Sequence, residues 1–292
     1  DHLVGYALKR RQPALPGVAD FRDPGGDNFD LSFATSTHRS LASKLEQRVF
    51  FTADRVILNT PAAREFYRRK YPQLANDRLV AIENGYDPAD FAGVMPHRLK
   101  DEPRFTIAHV GSIYGQKRTP RPFFEAVQQA LAAGLVSRAD LRILFVGAYG
   151  GKASRELNQS LGLADVVDLV GYVDHRQSIA YVLAADLLLL ILGGGQGSEL
   201  VAPAKLFEYL AAGKPILALA ADGAAAGIVH EARAGVVVDP EDIPSIAQHI
   251  AVFYQRWRAG QPGSVPDPAV VARFDRRRLT ARLAQTLEEI SP

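Results

Sequence analysis

From Phe105 onward the chain alternates short, almost wholly apolar runs with amphipathic stretches, and this alternation restricts the fold more than any other feature. The apolar runs are Phe105–Val110, Leu141–Val146, Val167–Val170, Leu187–Leu192, Pro215–Ala220 and Val236–Val238. Helical patterns fill the gaps at Arg121–Ala133, Ala153–Leu161, Ser178–Ala184, Ala204–Ala211 and Ile243–Arg258. A strand that is apolar on both faces has to be covered on both faces, and helices placed between parallel strands supply that cover. The pattern therefore predicts an α/β fold built on a doubly wound parallel sheet.

Upstream the same grammar is thinner. Strands are predicted at Gly17–Phe21, Arg55–Asn59 and Leu79–Glu83, with helices at Ser40–Phe51 and Pro61–Lys70. Three strands fall below the usual sheet of about four to six, so residues 1–88 read as a partial Rossmann-like domain. The turn signal Asn84-Gly85-Tyr86-Asp87-Pro88 closes that unit, and residues 89–104 read as a linker. Residues 105–262 form the complete unit. Residues 263–292 carry one predicted helix, Pro268–Ile290, long enough to cross back to the other domain.

Composition narrows the class. The chain has 292 residues, 47% of them hydrophobic and 23% charged, which is the profile of a globular protein with a large core. Thirty-four basic against 32 acidic residues leave a net charge of +2, which argues against a nucleic-acid partner. There is no cysteine, so disulfides and thiolate metal sites are excluded and a reducing, cytoplasmic setting is permitted. The longest apolar run, Ala184–Leu192, is far short of the ~20 residues of a membrane helix. Asp1 is preceded by neither Met nor a signal-like segment, which suggests a processed chain or a fragment.

The strongest chemical signal is the block Pro203-Ala204-Lys205-Leu206-Phe207-Glu208-Tyr209-Leu210-Ala211-Ala212-Gly213-Lys214-Pro215. Pro203 opens a helix where its missing N–H costs nothing, and Gly213 ends it. Lys205 and Glu208, three residues apart, share a face of its first turns. The helix follows a glycine-rich loop, Gly193-Gly194-Gly195-Gln196-Gly197, at the carboxyl end of a strand, where open α/β sheets bind ligands. A carboxylate there can accept two hydrogen bonds from a ribose diol, and the ammonium can meet a phosphate. The plainer alternative is a solvated Lys–Glu pair.

A second signal, His109-Val110-Gly111-Ser112-Ile113-Tyr114-Gly115-Gln116-Lys117-Arg118, joins the first strand of the complete unit to its first helix. Gly111 and Gly115 allow backbone amides to approach an anion, and Lys117 and Arg118 supply full charges for a diphosphate. Neither the P-loop spacing nor GxGxxG is present. His109 reads equally as a hydrogen-bonded core residue or a ligand contact, His38 precedes a helix and reads as part of its N-terminal surroundings, and His175 and His230 show no spacing that suggests a site.

Taken in order, these segments resemble the GT-B glycosyltransferases of the retaining family-4 type. Ala19-Asp20-Phe21-Arg22-Asp23-Pro24 is similar to an acidic/Arg turn on the acceptor side. Asp54-Arg55-Val56-Ile57 is similar to a family strand, and Ile82-Glu83-Asn84-Gly85-Tyr86-Asp87-Pro88-Ala89-Asp90-Phe91 is similar to the interdomain signature. The resemblance implies two Rossmann-like domains, the N-terminal one incomplete and acceptor-side, and transfer of a sugar from a nucleoside-diphosphate donor with retained configuration. It implies that Glu208 binds the donor ribose and that Gly111, Ser112, Lys117, Arg118 and Lys205 surround the diphosphate. The family pairs Glu208 with an earlier glutamate; its position falls on Leu200, so either Glu199 substitutes or the amides of Gly193–Gly197 take over. No metal or other cofactor is implied, since the cations present can neutralise the leaving group.

On the acceptor side the resemblance implies Arg22 and Asp23, Asp23 orienting a hydroxyl and Arg22 holding an anionic acceptor. A local Arg22–Asp23 salt bridge is an equal alternative. The basic run Lys9-Arg10-Arg11 implies peripheral membrane contact, because relatives use such surface to reach lipid-linked acceptors; simple solvation is the alternative. A nucleotide-sugar epimerase and an inactive nucleotide-sugar-binding or interaction module stay open beside the transferase. The pattern carries no signal for base, sugar, acceptor or oligomeric state.

Overall fold

The computed structural model of the chain describes all residues except 1, 24, 27–32, 100–102, 114–118, 149–150, 196, 262 and 292, with the backbone alone described over 151–154. In chain order the elements are α1 (His2–Arg11), β1 (Val18–Phe21), α2 (Ser36–Thr52), β2 (Arg55–Leu58), α3 (Pro61–Lys70), β3 (Leu79–Ala81) and α4 (Pro88–Phe91). The larger unit follows as β4 (Phe105–Val110), α5 (Arg121–Ala132), β5 (Leu141–Val146), α6 (Gly151–Ser160), β6 (Val167–Gly171), α7 (His175–Ala184) and β7 (Leu187–Gly193). It continues through α8 (Ala204–Ala211), β8 (Ile216–Ala220), α9 (Ala224–Glu231), β9 (Gly235–Val238) and α10 (Ile243–Arg258). The chain ends in α11 (Pro268–Val271) and α12 (Arg276–Glu288).

All strand pairs are parallel. The larger sheet has the order β6-β5-β4-β7-β8-β9, and the smaller has β1-β2-β3. Within the larger unit this is the doubly wound order in which the chain starts at the centre, winds outward one way and then the other. Its topological switch point therefore lies between β4 and β7. Every residue of β4, β5, β7 and β8 is buried. One face carries a cluster built around Phe123, Phe124, Phe145 and Ile250, and the other a cluster around Leu206, Phe207, Val229 and Phe274.

The smaller sheet packs one face on Phe50, Tyr67 and Tyr71. Its other face meets the returning C-terminal segment, where Leu279 of α12 joins Ile57 and Ile82. The predicted single helix Pro268–Ile290 is in fact interrupted: a 3-10 turn at Ala272–Phe274 and an extended Asp275 separate α11 from α12. The corner has a cause on each side. Phe274 is buried against Phe207, with ring centroids 4.8 Å apart, and Asp275 caps α12 through the backbone N–H of Arg277. The Tyr86 N–H donates to the Phe274 carbonyl and the Arg276 N–H to the Tyr86 carbonyl, so the corner is clasped to the interdomain turn. A Cβ on Gly85 would lie 2.3 Å from the Phe274 oxygen, which explains glycine there.

Three helices escape the sequence pattern: α1, the short α4 and α9. α1 carries the basic run Lys9, Arg10 and Arg11 in its last turn, where cations suit the helix dipole. Lys9 is not merely solvated: its Nζ lies 2.7 Å from Asp54 Oδ2. α9 begins directly after Gly223, and its first three residues are alanine.

Candidate functional site at the switch point

A cavity of about 260 Å3 opens at the carboxyl ends of β4, β5 and β6, beside the switch point. Gly111 and Ser112 leave β4, Gly147 leaves β5, and Tyr172 and Val173 leave β6 to form its floor and one wall. Lys205 and Glu208 of α8 and His175 of α7 form the other. Gly111 has φ +112°, and a Cβ there would stand 2.9 Å from both Cε and Nζ of Lys205. Gly147 has φ +130°, and its Cβ would stand 2.7 Å from the Gly111 carbonyl carbon. Both glycines thus let two strand ends and a lysine converge more tightly than side chains would permit.

Lys205 is set by the strand beneath it. His109 is buried at the end of β4; its Nδ1 is 2.9 Å from the Leu189 carbonyl, so that nitrogen carries the proton. Nε2 is left to accept from Lys205 Nζ at 3.2 Å. His109 is accordingly a core residue that also aims the pocket's lysine. Tyr209, fully buried behind α8, accepts from the Val110 N–H at 2.7 Å and donates to the Val110 carbonyl at 3.1 Å, fastening the helix to β4. Ser112 Oγ accepts from the Ala148 N–H at 3.1 Å and ties the turns after β4 and β5 together.

Burial pushes the Glu208 carboxyl above its ordinary range, an effect opposed first by His175, reinforced by Asp90, and opposed again by Arg276 and Lys205. His175 Nε2 is 3.2 Å from Asp90 Oδ2 and 4.0 Å from Glu208 Oε1. The histidine that shows no suggestive spacing in the sequence therefore lines the cavity. Its partners arrive from two other elements, so only the fold brings them together.

None of the remaining described sequence candidates lines this cavity. Lys117 and Arg118 lie outside the described residues. Glu199 turns back on its own loop, its Oε2 accepting from the Gly197 N–H at 2.8 Å, and it does not line the cavity. Arg22 is paired with Asp20, not with Asp23: Nη2 is 2.7 Å and Nε 3.0 Å from Asp20 Oδ2. Its Nη1 donates to the Ile82 carbonyl at 3.0 Å. Asp20 and Arg22 are two residues apart on an extended segment and so share a face, which puts the local bridge one partner away from the expected one. Asp23 is exposed. A second cavity of about 200 Å3 lies between Arg22, Asn84 and Gly85 on one side and Arg276 and Thr280 on the other.

The two units are joined by buried polar contacts close to the site. Asn59 Nδ2 donates to the Ala202 carbonyl at 3.4 Å, Thr60 Oγ1 to the Leu200 carbonyl at 2.7 Å and Asn84 Nδ2 to the Ala202 carbonyl at 3.2 Å, while Asn59 Nδ2 is also held within the smaller unit by the Arg22 carbonyl at 2.8 Å. A further cavity of about 230 Å3, between α1 and the β1–α2 side of the smaller sheet, is mainly apolar and lacks a comparable convergence of charged groups. Among the described residues no group of three or more His, Asp or Glu is arranged to hold a metal ion, and no helix is long and apolar enough to cross a membrane.

Two parallel α/β units, with a polar pocket at the switch point of the larger and a C-terminal helix returning to the smaller, define a GT-B-type protein. The chain belongs to the family described as "Glycosyl transferases group 1", whose model matches residues 104–256. It is 27% identical over 218 residues to a phosphatidyl-myo-inositol mannosyltransferase of Mycobacterium tuberculosis, covering 74% of this chain and 55% of that protein. It is 26% identical over 262 residues to the protein of the same name in Mycolicibacterium smegmatis, covering 89% of this chain and 64% of that one. The chain thus spans less than two thirds of the length of these curated relatives.

Among solved structures, Anabaena Alr3699/HepE in complex with UDP superposes with a TM-score of 0.71 at 18% identity, over 99% of this chain and 76% of that one. Sucrose-phosphate synthase from Thermosynechococcus elongatus does so with a TM-score of 0.68 at 21% identity, over 99% and 71%. At these identities the likeness establishes the fold.

Proposed function

We propose that this chain is the catalytic body of a glycosyltransferase that moves a sugar from a nucleoside-diphosphate donor to an acceptor hydroxyl with retention of configuration and without a metal. One observation carries the reading. Lys205 and Glu208, a cation and a carboxylate on one helix, meet the Gly111–Ser112 turn in a single cavity at the switch point. Glu208 accepts from the ribose hydroxyls, and Lys205 faces the diphosphate, joined by Lys117 and Arg118 of the same glycine turn. In the reaction the anomeric C–O bond to the diphosphate breaks, a bond to the acceptor oxygen forms, and the proton of the acceptor hydroxyl passes to the departing diphosphate oxygen. Negative charge grows on the departing diphosphate, and a fixed cation stabilises that state more than the bound donor.

The relatives support the donor class and the acceptor class alike: one neighbour is described with UDP bound, and the curated relatives are named for a phosphatidyl-myo-inositol acceptor. Peripheral contact with a lipid surface fits α1, where exposed Leu3, Val4 and Leu8 share a helix with Lys9, Arg10 and Arg11. On the acceptor side Asp23 is the free carboxylate, while Arg22 serves by holding Asp20 and the turn after β3 in place.

Calorimetric titration with UDP, GDP and ADP tests this reading. The wild-type chain binds at least one of them, and Glu208→Ala and Lys205→Ala each weaken binding on the order of 10- to 100-fold, as expected for lost hydrogen bonds involving a charged group. Absence of binding by the wild type, or affinities unchanged in both variants, overturns it.

A further inference from the structure

The imidazole of His175 stands between two carboxylates that come from different parts of the chain. Asp90 belongs to α4, in the segment joining the two units, and Glu208 to α8, in the donor pocket. Both approach the same ring nitrogen, at 3.2 and 4.0 Å. The His175 side chain retains 55% of its exposure, so it is no core residue whose removal would collapse the fold.

The ring is nevertheless held. It is the first residue of α7, directly after the cap formed by Asp174, whose side chain accepts from the Gln177 N–H. The segment following α4 is laid along α7: Arg176 Nη2 donates to the Gly93 carbonyl at 2.9 Å, the His97 N–H donates to the Ala180 carbonyl at 2.9 Å, and the His97 ring stacks on Tyr181 with centroids 4.0 Å apart. Asp90 thereby meets His175 from a fixed direction, and the Nε2 it holds is the nitrogen that also stands 4.0 Å from Glu208 Oε1.

We propose that His175, fixed by Asp90, is a positioning residue that turns the Glu208 carboxylate toward the ribose diol, making it a determinant of ribose over deoxyribose and a physical link between the donor pocket and the interdomain segment. The inference rests on the assignment of Glu208 to the ribose. Charged and titratable groups facing Glu208 are Lys205 on its own helix, His175 on α7, Asp90 on α4 and Arg276 at the start of α12. His175 is the first of these opposing the upward push of burial. Without it the carboxyl takes a proton at a higher pH, and a protonated carboxyl loses part of its capacity to accept from the diol.

The experiment compares a nucleoside diphosphate that the wild type binds (UDP, GDP or ADP) with its 2′-deoxy form, by calorimetry on the full chain across pH 5.5–8.5. In the wild type the ribonucleotide binds better, and Glu208→Gln abolishes the preference. His175→Ala and the longer His175→Gln each lower the ribonucleotide's affinity roughly fivefold at neutral pH, leave the deoxynucleotide unchanged, and start the acid-side loss of ribonucleotide binding at a higher pH. Preference and pH profile unchanged in both His175 variants overturn the inference, as does equal weakening of the two nucleotides. A preference that survives Glu208→Gln overturns the ribose assignment itself, whatever the His175 variants do.

Discussion

The two sheets are held together by different physics. In the larger, four strands are buried along their whole length and both faces carry aliphatic and aromatic clusters. Each fully buried side chain of this kind contributes about 1.5–3 kcal/mol, so apolar burial dominates there. The smaller sheet has a smaller apolar cluster on each face and leans also on buried polar groups: Glu46 beneath α3, Asn59 and Thr60 at the end of β2, and the clasp of α12 at Tyr86. A sheet that is well covered by its own helices can leave its carboxyl edge open for a ligand. A narrow sheet has to spend its edge residues on attachment to its neighbour.

The sharpest way to break this contrast is Glu46. Its carboxylate, almost fully buried, accepts from Lys70 Nζ at 2.7 Å, Tyr71 OH at 2.8 Å, the Gly26 N–H at 2.8 Å and Tyr67 OH at 3.1 Å. Burial, then the hydrogen bond to this carboxylate, holds the Tyr71 phenol up at about 12. Glu46→Ala removes at once the acceptor shared by an ammonium, two hydroxyls and an amide. The expected loss is about 3 kcal/mol in chemical denaturation, with hydrogen-exchange protection falling in the smaller sheet and not in β4, β5, β7 or β8. A uniform loss across both sheets would show that they share one stability and that the contrast is wrong.

The same contrast explains what the sequence discloses. β4, β5, α3, α8 and α10 are predicted with the bounds observed, because each is long, strongly periodic or flanked by a proline or glycine stop. α1 has Gly5 in its middle and no acidic first turn, and α9 is short, with Gly227 in its middle and no side-chain cap, so neither announces itself. The corner at Phe274–Asp275 is set by a pocket against Phe207 that no local pattern encodes. At the site, Lys205 and Glu208 are legible because one helical turn brings them together. His175 is not, since its partners sit on α4 and α8 and only the tertiary fold delivers them. The true partner of Arg22 was within reach: residues 20 and 22 lie on one face of an extended segment.

A smaller test concerns the attachment of α1 to the smaller sheet. Burial pushes the Asp54 carboxyl up, but the Lys9 ammonium and the Gly17 N–H outweigh it, and the net shift is below the ordinary value of 3.8. A depressed carboxylate contributes stability that is present above pH 3.8 and is lost as pH falls through the lower value of the folded state. With the pair partly solvent-exposed, Asp54→Asn is expected to cost at most about 1 kcal/mol. The loss should vanish in acid below both values, and neutral-pH hydrogen exchange should quicken in α1 before β2. An equal cost at acid and neutral pH would assign the effect to the amide's geometry and remove the ion pair from the account.

The smallest expected effect has the opposite sign. Burial holds the Glu208 carboxyl above its ordinary 4.5, so the folded state resists the ionised form. Stability then falls as pH rises from the unfolded value through the raised folded one, and at neutral pH the ionised group is a net cost. Glu208→Gln removes that cost while keeping the side chain's shape, and is expected to stabilise the chain on the order of 0.5 kcal/mol at pH 7, with no gain below pH 4. The same substitution is the one expected to abolish the preference for a ribonucleotide. A residue that destabilises the free protein yet is needed for the ligand belongs to the open edge of the larger sheet, whereas Glu46, whose partners Gly26, Tyr67, Lys70 and Tyr71 all lie in the smaller unit, belongs to that unit's own packing. If Glu208→Gln instead lowers stability at pH 7, its carboxylate is already fully compensated by His175, Lys205 and Arg276 in the empty pocket, and the division between the two sheets loses its functional side.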